Sequence, residues 1–532
     1  MTDMKSRTKT LNRFALSILT ATILAGCSLT PDYQRPAAPV TAAFKEALPA
    51  DQAGQWKAAQ PSEAVLRGEW WKVFNDETLN ALESQAADAN QNLKAAAARL
   101  TQARALQRQT RSGLFPEVTA NFGPTRQRAS PASQGFPDDG PATSATLWRG
   151  QLGVSYEADL FGRVSSTVDA ATADAQQSEA LLRSVHLALQ ADVAENYFIV
   201  RELDAERKIY DRTLELRQQT LDLVERRYNA GDISELDVAR ARSELASAQS
   251  EALGIDRRRA QSEHALAVLL GKAPAEFALP ANPLTRIAID VPPGLPSSLL
   301  ERRPDITAAE RAMAAANDRI GAARAAFFPQ LNITGYAGYE SSELGNLFEW
   351  SSRTFLLGPL TGAMLSLPIF DAGRRQAGLD RARAVYEEDV ANYRQTVLGA
   401  FREVEDNLAN LRILGEQTQA QDRAVQSSAR AAQLSHTQYK EGSISYLDVI
   451  DSDRTVLTQQ RVSVQLDGER ARSTVNLIRA LGGGWGSDSV QAQQAAASPA
   501  NSPTKAPTNA PANAAADAAP SGTPAGQPVA QR

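Results

Sequence analysis

The chain contains the stretch Tyr228-Asn-Ala-Gly-Asp-Ile-Ser-Glu-Leu-Asp-Val238 and repeats its pattern as Tyr439-Lys-Glu-Gly-Ser-Ile-Ser-Tyr-Leu-Asp-Val449. The offset of 211 residues (439 − 228) also superimposes three further pairs without a gap, namely Gly162-Arg163 on Gly373-Arg374, Glu195-Asn196 on Asp406-Asn407, and Leu270-Gly271 on Leu481-Gly482. A fixed period over so many markers indicates an internal duplication. The sequence therefore predicts two homologous halves and a pseudo-symmetric fold.

A long helix precedes each copy of that stretch. Residues 163–228 contain no proline, and a seam at alternating spacings of four and three is apolar at most positions: Leu203, Arg207, Tyr210, Leu214, Arg217, Leu221, Val224 and Tyr228. This pattern predicts a coiled-coil rod of about 100 Å. We expect a second helix to return on a seam of mostly small residues, Leu236, Ala239, Ser243, Ala246, Ser250 and Leu253. Rods of this length cannot cover their own apolar stripes and need neighbours.

The turn between the two helices has a recognisable chemistry. Each copy carries a glycine that fits the left-handed end of a helix, and a serine followed three residues later by an aspartate, which is close to a capping box. These residues are Gly231, Ser234 and Asp237 in the first copy, and Gly442, Ser445 and Asp448 in the second. Helix capping is a sufficient role for both aspartates, although a well-formed tip also suits contact with a partner.

Amphipathic strands precede each rod. The apolar positions alternate with polar ones at Val118, Ala120 and Phe122, at Trp148, Gly150, Leu152, Val154 and Tyr156, and at Leu331, Ile333, Ala337 and Tyr339. A fourth strand from Phe355 to Leu367 alternates poorly. Strands of this kind are typical of membrane β-barrels, the smallest of which has about eight strands. A sandwich would need a second sheet that two isolated hairpins do not have, so we expect several chains to share one barrel.

Composition and motifs exclude several classes of function. The net charge is −5 and no Lys/Arg block stands in the mature chain, so no nucleic acid is expected as a partner. His186, His264 and His436 lack metal-ligand spacing, and Gly482-Gly-Gly-Trp485 lacks the Lys-Ser/Thr of a phosphate loop. With no nucleophile elbow either, we expect no enzyme, no catalytic residues and no metal site.

The N-terminus has the order of a secretory signal. Lys5, Arg7, Lys9 and Arg13 precede an apolar run that ends in Leu-Ala-Gly before Cys27, the only cysteine of the chain. This ending resembles the lipobox of bacterial lipoproteins, which implies that a covalent lipid on Cys27 is the only attached group; we expect no cofactor. The alternative is an ordinary signal peptide with a chance cysteine. Ser28 follows Cys27, and in Gram-negative lipoproteins the absence of aspartate there implies sorting to the outer membrane.

The pattern divides the chain into ten predicted segments. They are a lipoprotein signal peptide (1–26), a lipidated N-terminal segment (27–63), a helical equatorial segment of repeat 1 (64–114), β-hairpin 1 (115–160), α-helical hairpin 1 (161–271), a Pro-rich linker (272–298), a helix of repeat 2 (299–327), β-hairpin 2 (328–369), α-helical hairpin 2 (370–482) and an Ala/Pro/Gln-rich tail (483–532). The tail has too few apolar residues to build a core, so we expect it to be disordered.

The combined motifs resemble the outer membrane factor family, the TolC-like channels, in its lipoprotein branch. They are the lipobox, the duplicated hairpins, Leu300-Glu-Arg-Arg-Pro-Asp-Ile306, Ala326-Phe-Phe-Pro329, Leu367-Pro-Ile-Phe-Asp-Ala-Gly-Arg374, Tyr446-Leu-Asp-Val449 and Leu481-Gly-Gly-Gly-Trp485. The resemblance covers residues 27–486. It implies a mainly α fold with membrane β-structure, in which a homotrimer builds a 12-stranded outer membrane β-barrel, four strands per chain, continuous with a periplasmic α-helical barrel.

The same resemblance implies the partners and a gate. The partners would be outer membrane lipid, a periplasmic adaptor contacting the hairpin tips, and an inner membrane pump, expected to be proton-driven. In the family's multidrug channels a leucine, an aspartate four residues on and an arginine three further close the periplasmic aperture, and Leu447, Asp451 and Arg454 have that spacing. Asp451 and Arg454 could equally form an ordinary helix-surface ion pair. Asp453 adds a charge whose direction the sequence leaves open.

Three functions are consistent with the sequence. The leading hypothesis is an exit duct for drugs or other small toxic compounds in a tripartite efflux system. A duct for protein secretion would have the same fold, because the inner membrane partner selects the cargo. A structural lipoprotein that spaces the envelope layers is the third, but a spacer would not need Trp148, Tyr156 and Tyr339 on the apolar side of its strands.

Overall fold

The computed structural model describes residues 29–37, 44–46, 69–128, 130–131, 137, 144–286, 302–357 and 363–483. Within these residues the helices are α1 (Glu77–Ala89), α2 (Gln91–Ser112), α3 (Arg163–Asn229), α4 (Glu235–Leu269), α5 (Pro304–Ala325), α6 (Arg374–Lys440) and α7 (Tyr446–Ala480). The strands are β1 (Glu117–Arg128), β2 (Ser144–Ala158), β3 (Gln330–Ser341), β4 (Arg353–Leu357) and β5 (Ala363–Ser366). The predicted signal peptide, Cys27, most of segment 27–63, residues 287–301 and the tail beyond 483 lie outside the described residues.

The duplication is visible in the helices. α3 and α6 are each 67 residues long and α4 and α7 are each 35, and the second helix of each pair starts 211 residues after the first. Each long helix begins after a glycine in the left-handed region, Gly162 with φ 76° and Gly373 with φ 88°. Asp159 and Asp371 accept hydrogen bonds from N–H groups at these starts, which satisfies donors that have no partner within the helix.

The strands form one antiparallel sheet in the order β1-β2-β3-β4, and β5 pairs with the first residues of β3. β4 and β5 therefore both pair along β3, and residues 358–362 between them lie outside the described residues. The strand predicted from Phe355 to Leu367 has strand pairing on both sides of that gap. The alternation there is poor because Leu356 and Met364 lie opposite Tyr336 and Asn332, on the polar side of the sheet.

The register separates the side chains of the sheet into two faces. The apolar face carries Val118, Ala120, Phe122, Trp148, Leu152, Val154, Tyr156, Leu331, Ile333, Ala337, Tyr339, Phe355, Leu357 and Leu365. The polar face carries Thr119, Asn121, Gln151, Ser155, Asn332 and Thr334. Phe122 is 66% exposed and Phe355 77%. An exposed apolar face of this extent marks contact with a partner or with lipid.

The helical hairpins pack on a different stripe of α4 from the predicted one. α3 buries Leu203, Tyr210, Leu221 and Val224 of its predicted seam. The predicted seam of α4 was wrong for a single chain, because Leu236 and Leu253 are exposed and the helix instead buries Val238, Ala241, Leu245, Ala248, Ala252 and Ile255. Both stripes have helical spacing, so α4 has a second, mostly small-residue stripe that its own chain leaves open.

The inter-repeat linker is attached to both hairpins by arginines. Asp204 on α3, almost fully buried, pairs with Arg201 at 3.2 Å and with Arg259 at 2.6 Å, while its other contact is the backbone N–H of Asn282 at 2.8 Å. Arg201 and Arg259 also donate to linker carbonyls. Further along, Arg286 binds two carboxylates of the second hairpin, Asp422 on α6 at 2.8 Å and Asp467 on α7 at 2.9 Å. The linker therefore ties the first hairpin to the second.

The described part of the N-terminal segment forms a strap along α5 and α6. The Leu29 carbonyl accepts from Arg324, the Pro31 carbonyl from Asn317, and the Tyr33 hydroxyl donates to Glu310 at 2.7 Å. Further contacts join Arg35 to Tyr393, Phe44 to Phe401, and the N–H groups of Lys45 and Glu46 to Glu405. The strap thus runs from the strand end of α5 towards the middle of α6.

Gly321 is the position on α5 where the strap lies closest. A Cβ at this position would be 2.8 Å from Cα of Thr30, a distance that real Cβ contacts do not show. We therefore expect Gly321→Val to displace the strap, at a cost of about 1–3 kcal/mol for overpacking. The measurement is the thermal midpoint together with the rate of proteolysis between residues 29 and 46.

Gly254→Ala is the matched control, since a Cβ on that helical glycine meets nothing within 4 Å. It should raise stability by up to about 1 kcal/mol. If the Gly321 variant has the parent's midpoint and protease resistance, the strap does not depend on this close approach.

Candidate functional site

The two hairpin tips end their ascending helices in the same way. Gly231 has φ 83° and Gly442 has φ 74°, which is the left-handed region. The N–H of Asp232 donates to the Arg227 carbonyl at 3.0 Å and that of Gly231 to the Tyr228 carbonyl at 2.9 Å, a Schellman motif that the second tip repeats. No atom lies within 4 Å of a Cβ built on either glycine. The backbone conformation is therefore what requires glycine here.

The caps of the returning helices differ between the tips. Ser445 and Asp448 form a complete capping box, in which Asp448 accepts from the Ser445 N–H at 3.0 Å. The same prediction was wrong for the first tip, because Ser234 makes no cap hydrogen bond and its hydroxyl lies 3.4 Å from Asp237. Asp237 is also 3.5 Å from Arg240, one turn along α4, which draws its carboxylate away from the Ser234 N–H. The first tip is therefore less firmly capped.

The tips of the two hairpins pack against each other. Tyr439 and Tyr446 lie with ring centroids 5.6 Å apart, and the Arg227 guanidinium lies 5.2 Å from the Tyr439 ring. They belong to one buried cluster with Leu221, Val224, Val238, Ala241, Leu245, Val449 and Ile450. Burial raises the pKa of Tyr446 to about 12, so this ring stays neutral at physiological pH. The paired tyrosines were not among the predicted site residues, although both stand in the repeated stretch.

Leu447, Asp451 and Arg454 lie on one side of α7 near the tip. Leu447 is 43% exposed, between the buried Tyr446 and the buried Val449. Arg454 is 3.8 Å from Asp451, whose side chain is 65% exposed. The predicted spacing therefore brings the three residues together on a surface that the single chain leaves open.

Arg454 has a closer partner than Asp451. Its guanidinium donates to the carboxylate of Glu244 on α4, which joins the second hairpin to the first. The Glu244 side chain is 11% exposed and also pairs with Arg217 of α3 at 3.1 Å. The sequence analysis did not identify Glu244, because a pairing across 210 residues leaves no local pattern. Arg217 indicated that an acidic partner was needed, since it is a charged residue within the otherwise mostly apolar seam of α3. The arginines and Glu244 form a cross-hairpin ion pair close to the exposed leucine.

Asp453 bonds to the histidine of the neighbouring helix. Its Oδ1 lies 2.8 Å from Nε2 of His436 on α6. This hydrogen bond, stronger in its effect than the opposing burial, raises the pKa of His436 above its usual value. The charge whose direction the sequence left open thus belongs to the contact between α6 and α7. Within the described part of the chain no group of His, Cys, Asp and Glu could hold a metal ion.

A family model described as outer membrane efflux protein matches residues 82–272 and again residues 295–483, one match in each half of the duplication. The chain belongs to the outer membrane efflux protein family. The family is one of channel proteins rather than enzymes, and its members span the outer membrane and extend into the periplasm. None of the helices within the described ranges is long and apolar enough to cross a membrane.

Relatives and solved structures agree with this assignment. The chain is similar to the toluene efflux pump outer membrane protein TtgC of Pseudomonas putida, with 38% identity over 90% of this chain and 97% of the relative. It is also similar to the cation efflux system protein CusC of Escherichia coli, with 35% identity over 88% of this chain and 98% of the relative. The solved outer-membrane channel OprN has a TM-score of 0.76 at 30% identity, covering 86% of this chain and all of that one. The outer membrane efflux protein described here is thus the outer membrane component of an efflux pump.

The His436–Asp453 contact predicts how tip stability depends on pH. Because the folded-state pKa of His436 is raised, the contact contributes fully below the unfolded pKa of about 6.5 and is lost as the pH rises through the raised value. The charged groups facing the imidazole are Asp453 and, with the opposite effect, Lys440. In the parent the thermal midpoint should fall as the pH rises from 6 to 8.5, and we expect His436→Gln to make this fall smaller.

The exposed His264 on α4 provides the control, since it lies far along the helix from the tip. His264→Gln should leave the pH dependence of the parent unchanged. An identical pH dependence in the His436 variant and the parent would show that the contact is broken in solution.

Proposed function

We propose that three copies of this chain form a duct, with their sheets closed into one 12-stranded outer membrane barrel and their rods into a periplasmic tunnel. The observation behind this proposal is the sheet, which has one continuous apolar face and one polar face. Its two outer strands, β1 and β4/β5, each lack a partner on one side among the described residues. The apolar face would meet lipid and the polar face would line the pore. Closure removes the open edges.

The open stripe of α4 supports the same assembly. Leu236 is 57% exposed and Leu253 is 67% exposed, with the small residues Ala239, Ser243, Ala246 and Ser250 between them. Small residues permit close approach between helices, so a neighbouring copy can cover this stripe along its whole length. The predicted seam of α4 then belongs between chains rather than within one.

The proposed cargo is small toxic compounds. The names of the relatives cover organic solvents in one case and cations in another, and both are small molecules or ions rather than proteins. We propose that an inner membrane pump, driven by protons, delivers the cargo through a periplasmic adaptor. The adaptor would contact the tips at Gly231, Ser234 and Asp237, and at the equivalent Gly442, Ser445 and Asp448.

A lipid on Cys27 fits the course of the strap. The Leu29 carbonyl accepts a hydrogen bond from Arg324 near the end of α5, six residues before β3 begins at Gln330. Cys27 precedes this contact by two residues, so a lipid on its side chain would lie beside the strand end of the sheet. The contacts of the strap would then fix the position of the lipid relative to α5.

Leu447 is the proposed constriction. Three symmetry copies of an exposed leucine can form an apolar ring that excludes water and ions, with the Asp451 carboxylates adding a ring of negative charge. Widening this ring requires the second hairpin to move away from the first. The Arg454–Glu244 ion pair opposes that movement in each copy.

Breaking the cross-hairpin ion pair should open the duct. We expect Arg454→Ala and Glu244→Gln to raise the open-channel population by roughly tenfold or more, because each partly exposed pair contributes about 0.5–1 kcal/mol and three copies add to about 1.5–3 kcal/mol. Asp451→Asn should raise the open-channel population less, since the ion pair that it removes is the longer one, at 3.8 Å. Combining Leu447→Ala with either variant should raise the open-channel population further. The measurement is conductance in a planar bilayer.

Arg242→Ala is the matched control. Arg242, with a side chain that is 66% exposed, pairs at 2.8 Å with Glu225, which belongs to the same hairpin. Its conductance should match the parent's. If the Arg454 and Glu244 variants also conduct like the parent while keeping its assembly, closure does not depend on this site.

A further inference from the structure

The apolar face of the first β-hairpin changes character at the end far from the helices. Along this face β1 carries Val118, Ala120 and Phe122, then Pro124, and finally Arg126 and Arg128. Arg126 lies opposite Thr146 and Arg128 opposite Ser144, so the two guanidiniums have only hydroxyl groups as cross-strand neighbours. The arginines are two residues apart on one strand face, which places them about 7 Å from each other.

Aromatic rings lie directly below these arginines. Phe122 and Trp148 have ring centroids 6.4 Å apart, and Trp148 lies opposite Pro124 in the register. The order along the face is therefore aliphatic, aromatic and basic, moving away from the helices. An aromatic girdle marks the interface between hydrocarbon and headgroups in membrane barrels. The arginines then lie at the level of the outer headgroups.

The second hairpin also carries an arginine among aromatic rings, where β4 begins in the register row of Tyr339, Gly150 and Phe122. Arg353 lies opposite Tyr339 on the apolar face, and its Nε donates to the carbonyl of Trp350, whose side chain is 78% exposed. The loop folds back onto this face, since the Phe348 ring meets the Tyr339 ring edge to face, with centroids 5.6 Å apart, and Leu347 is fully buried. Three arginines and two large exposed rings, those of Phe348 and Trp350, thus line the same side of the sheet.

The arginine on the polar face, in contrast to those on the apolar face, forms an ion pair. Arg149 lies opposite Gly123 and pairs with Glu340 at 2.6 Å. In contrast, Arg126, Arg128 and Arg353 form no ion pair with a carboxylate among the described residues, including the loop residues Glu343 and Glu349. The arginines on the apolar side therefore have no protein counterion within that part of the chain, and they point where lipid headgroups would lie.

We propose that Arg126, Arg128 and Arg353 form a collar that binds the phosphate groups of the anionic glycolipid in the outer leaflet. The inference rests on the proposed function, because it requires the apolar face to meet lipid. A guanidinium binds phosphate through two parallel N–H donors, and the spacing of Arg126 and Arg128 suits one phosphate bridged by both or two neighbouring phosphates. The rings of Trp148 and Trp350 would contact the adjoining acyl and sugar groups.

The collar fixes the depth of the barrel in the membrane. The glycolipid phosphates lie at a defined level in the outer leaflet, so charge-assisted contacts to them would oppose vertical movement of the sheet. The strap and the lipid on Cys27 would act at the opposite end of the strands. The barrel would then be held at both leaflets.

The test compares the full-length parent with Arg126→Gln/Arg128→Gln/Arg353→Gln, and uses Arg149→Gln as the matched control. Each protein is reconstituted with purified phosphorylated glycolipid, with the same glycolipid after enzymatic dephosphorylation, or with inorganic phosphate alone. Bound glycolipid per chain is counted by native mass spectrometry, and the thermal midpoint is recorded. We expect the parent and the Arg149 variant to bind the phosphorylated form, and the triple variant to bind it roughly tenfold more weakly.

Three outcomes would overturn the collar: equal binding by the triple variant, equal binding of the dephosphorylated glycolipid by the parent, or equal stabilisation of the parent by inorganic phosphate. The second and third need only the parent, so they hold even if the triple variant does not fold. Conductance of the same samples separates this inference from the proposed function. A parent that conducts but does not discriminate the phosphorylated glycolipid refutes the collar alone, whereas a parent that forms no channel refutes the duct.

Discussion

The two unpaired outer edges of the sheet are the constraint on which the rest of the molecule depends. β1 and β4/β5 each present a row of backbone N–H and C=O groups with no partner in the described chain, and a bilayer offers them no water. Four strands cannot bend far enough to pair these edges with each other, and in the proposed trimer each edge pairs with another copy. The apolar face, the open stripe on α4 and the exposed Leu447 all make sense once neighbours surround the chain.

Within one chain, polar contacts between residues that are far apart in the sequence join the two helical hairpins. Arg286 ties the linker to α6 and α7, while Asp204 ties it to α3 and α4 through Arg201 and Arg259. Near the tips the apolar cluster around Tyr439 and Tyr446 and the Arg454–Glu244 pair repeat the connection. Separating the tips therefore has to break the Arg454–Glu244 pair and open the apolar cluster around the two tyrosines, which suits a gate that opens when a partner binds the tips.

The period of 211 residues predicted most of the fold. It implied equal helices in the two halves, and α3 with α6 and α4 with α7 have equal lengths. Glycine and serine spacing also predicted the turns. The buried stripe of α4 was missed because two stripes with helical spacing coexist there, and periodicity alone does not say which one faces its own chain. Glu244 was missed because its pairing with Arg454 depends on how the hairpins cross, which local sequence does not encode.

The mass of the protein in a lipid nanodisc or mild detergent tests the central claim most directly. Native mass spectrometry of the full chain should give three copies for every channel that conducts, because three four-stranded sheets supply the strands that close one barrel. The mass should stay at three copies when the protein is diluted, since separating the copies would expose backbone edges to hydrocarbon. A single chain that conducts in a bilayer would contradict the account, because it would mean that four strands form the pore without a partner.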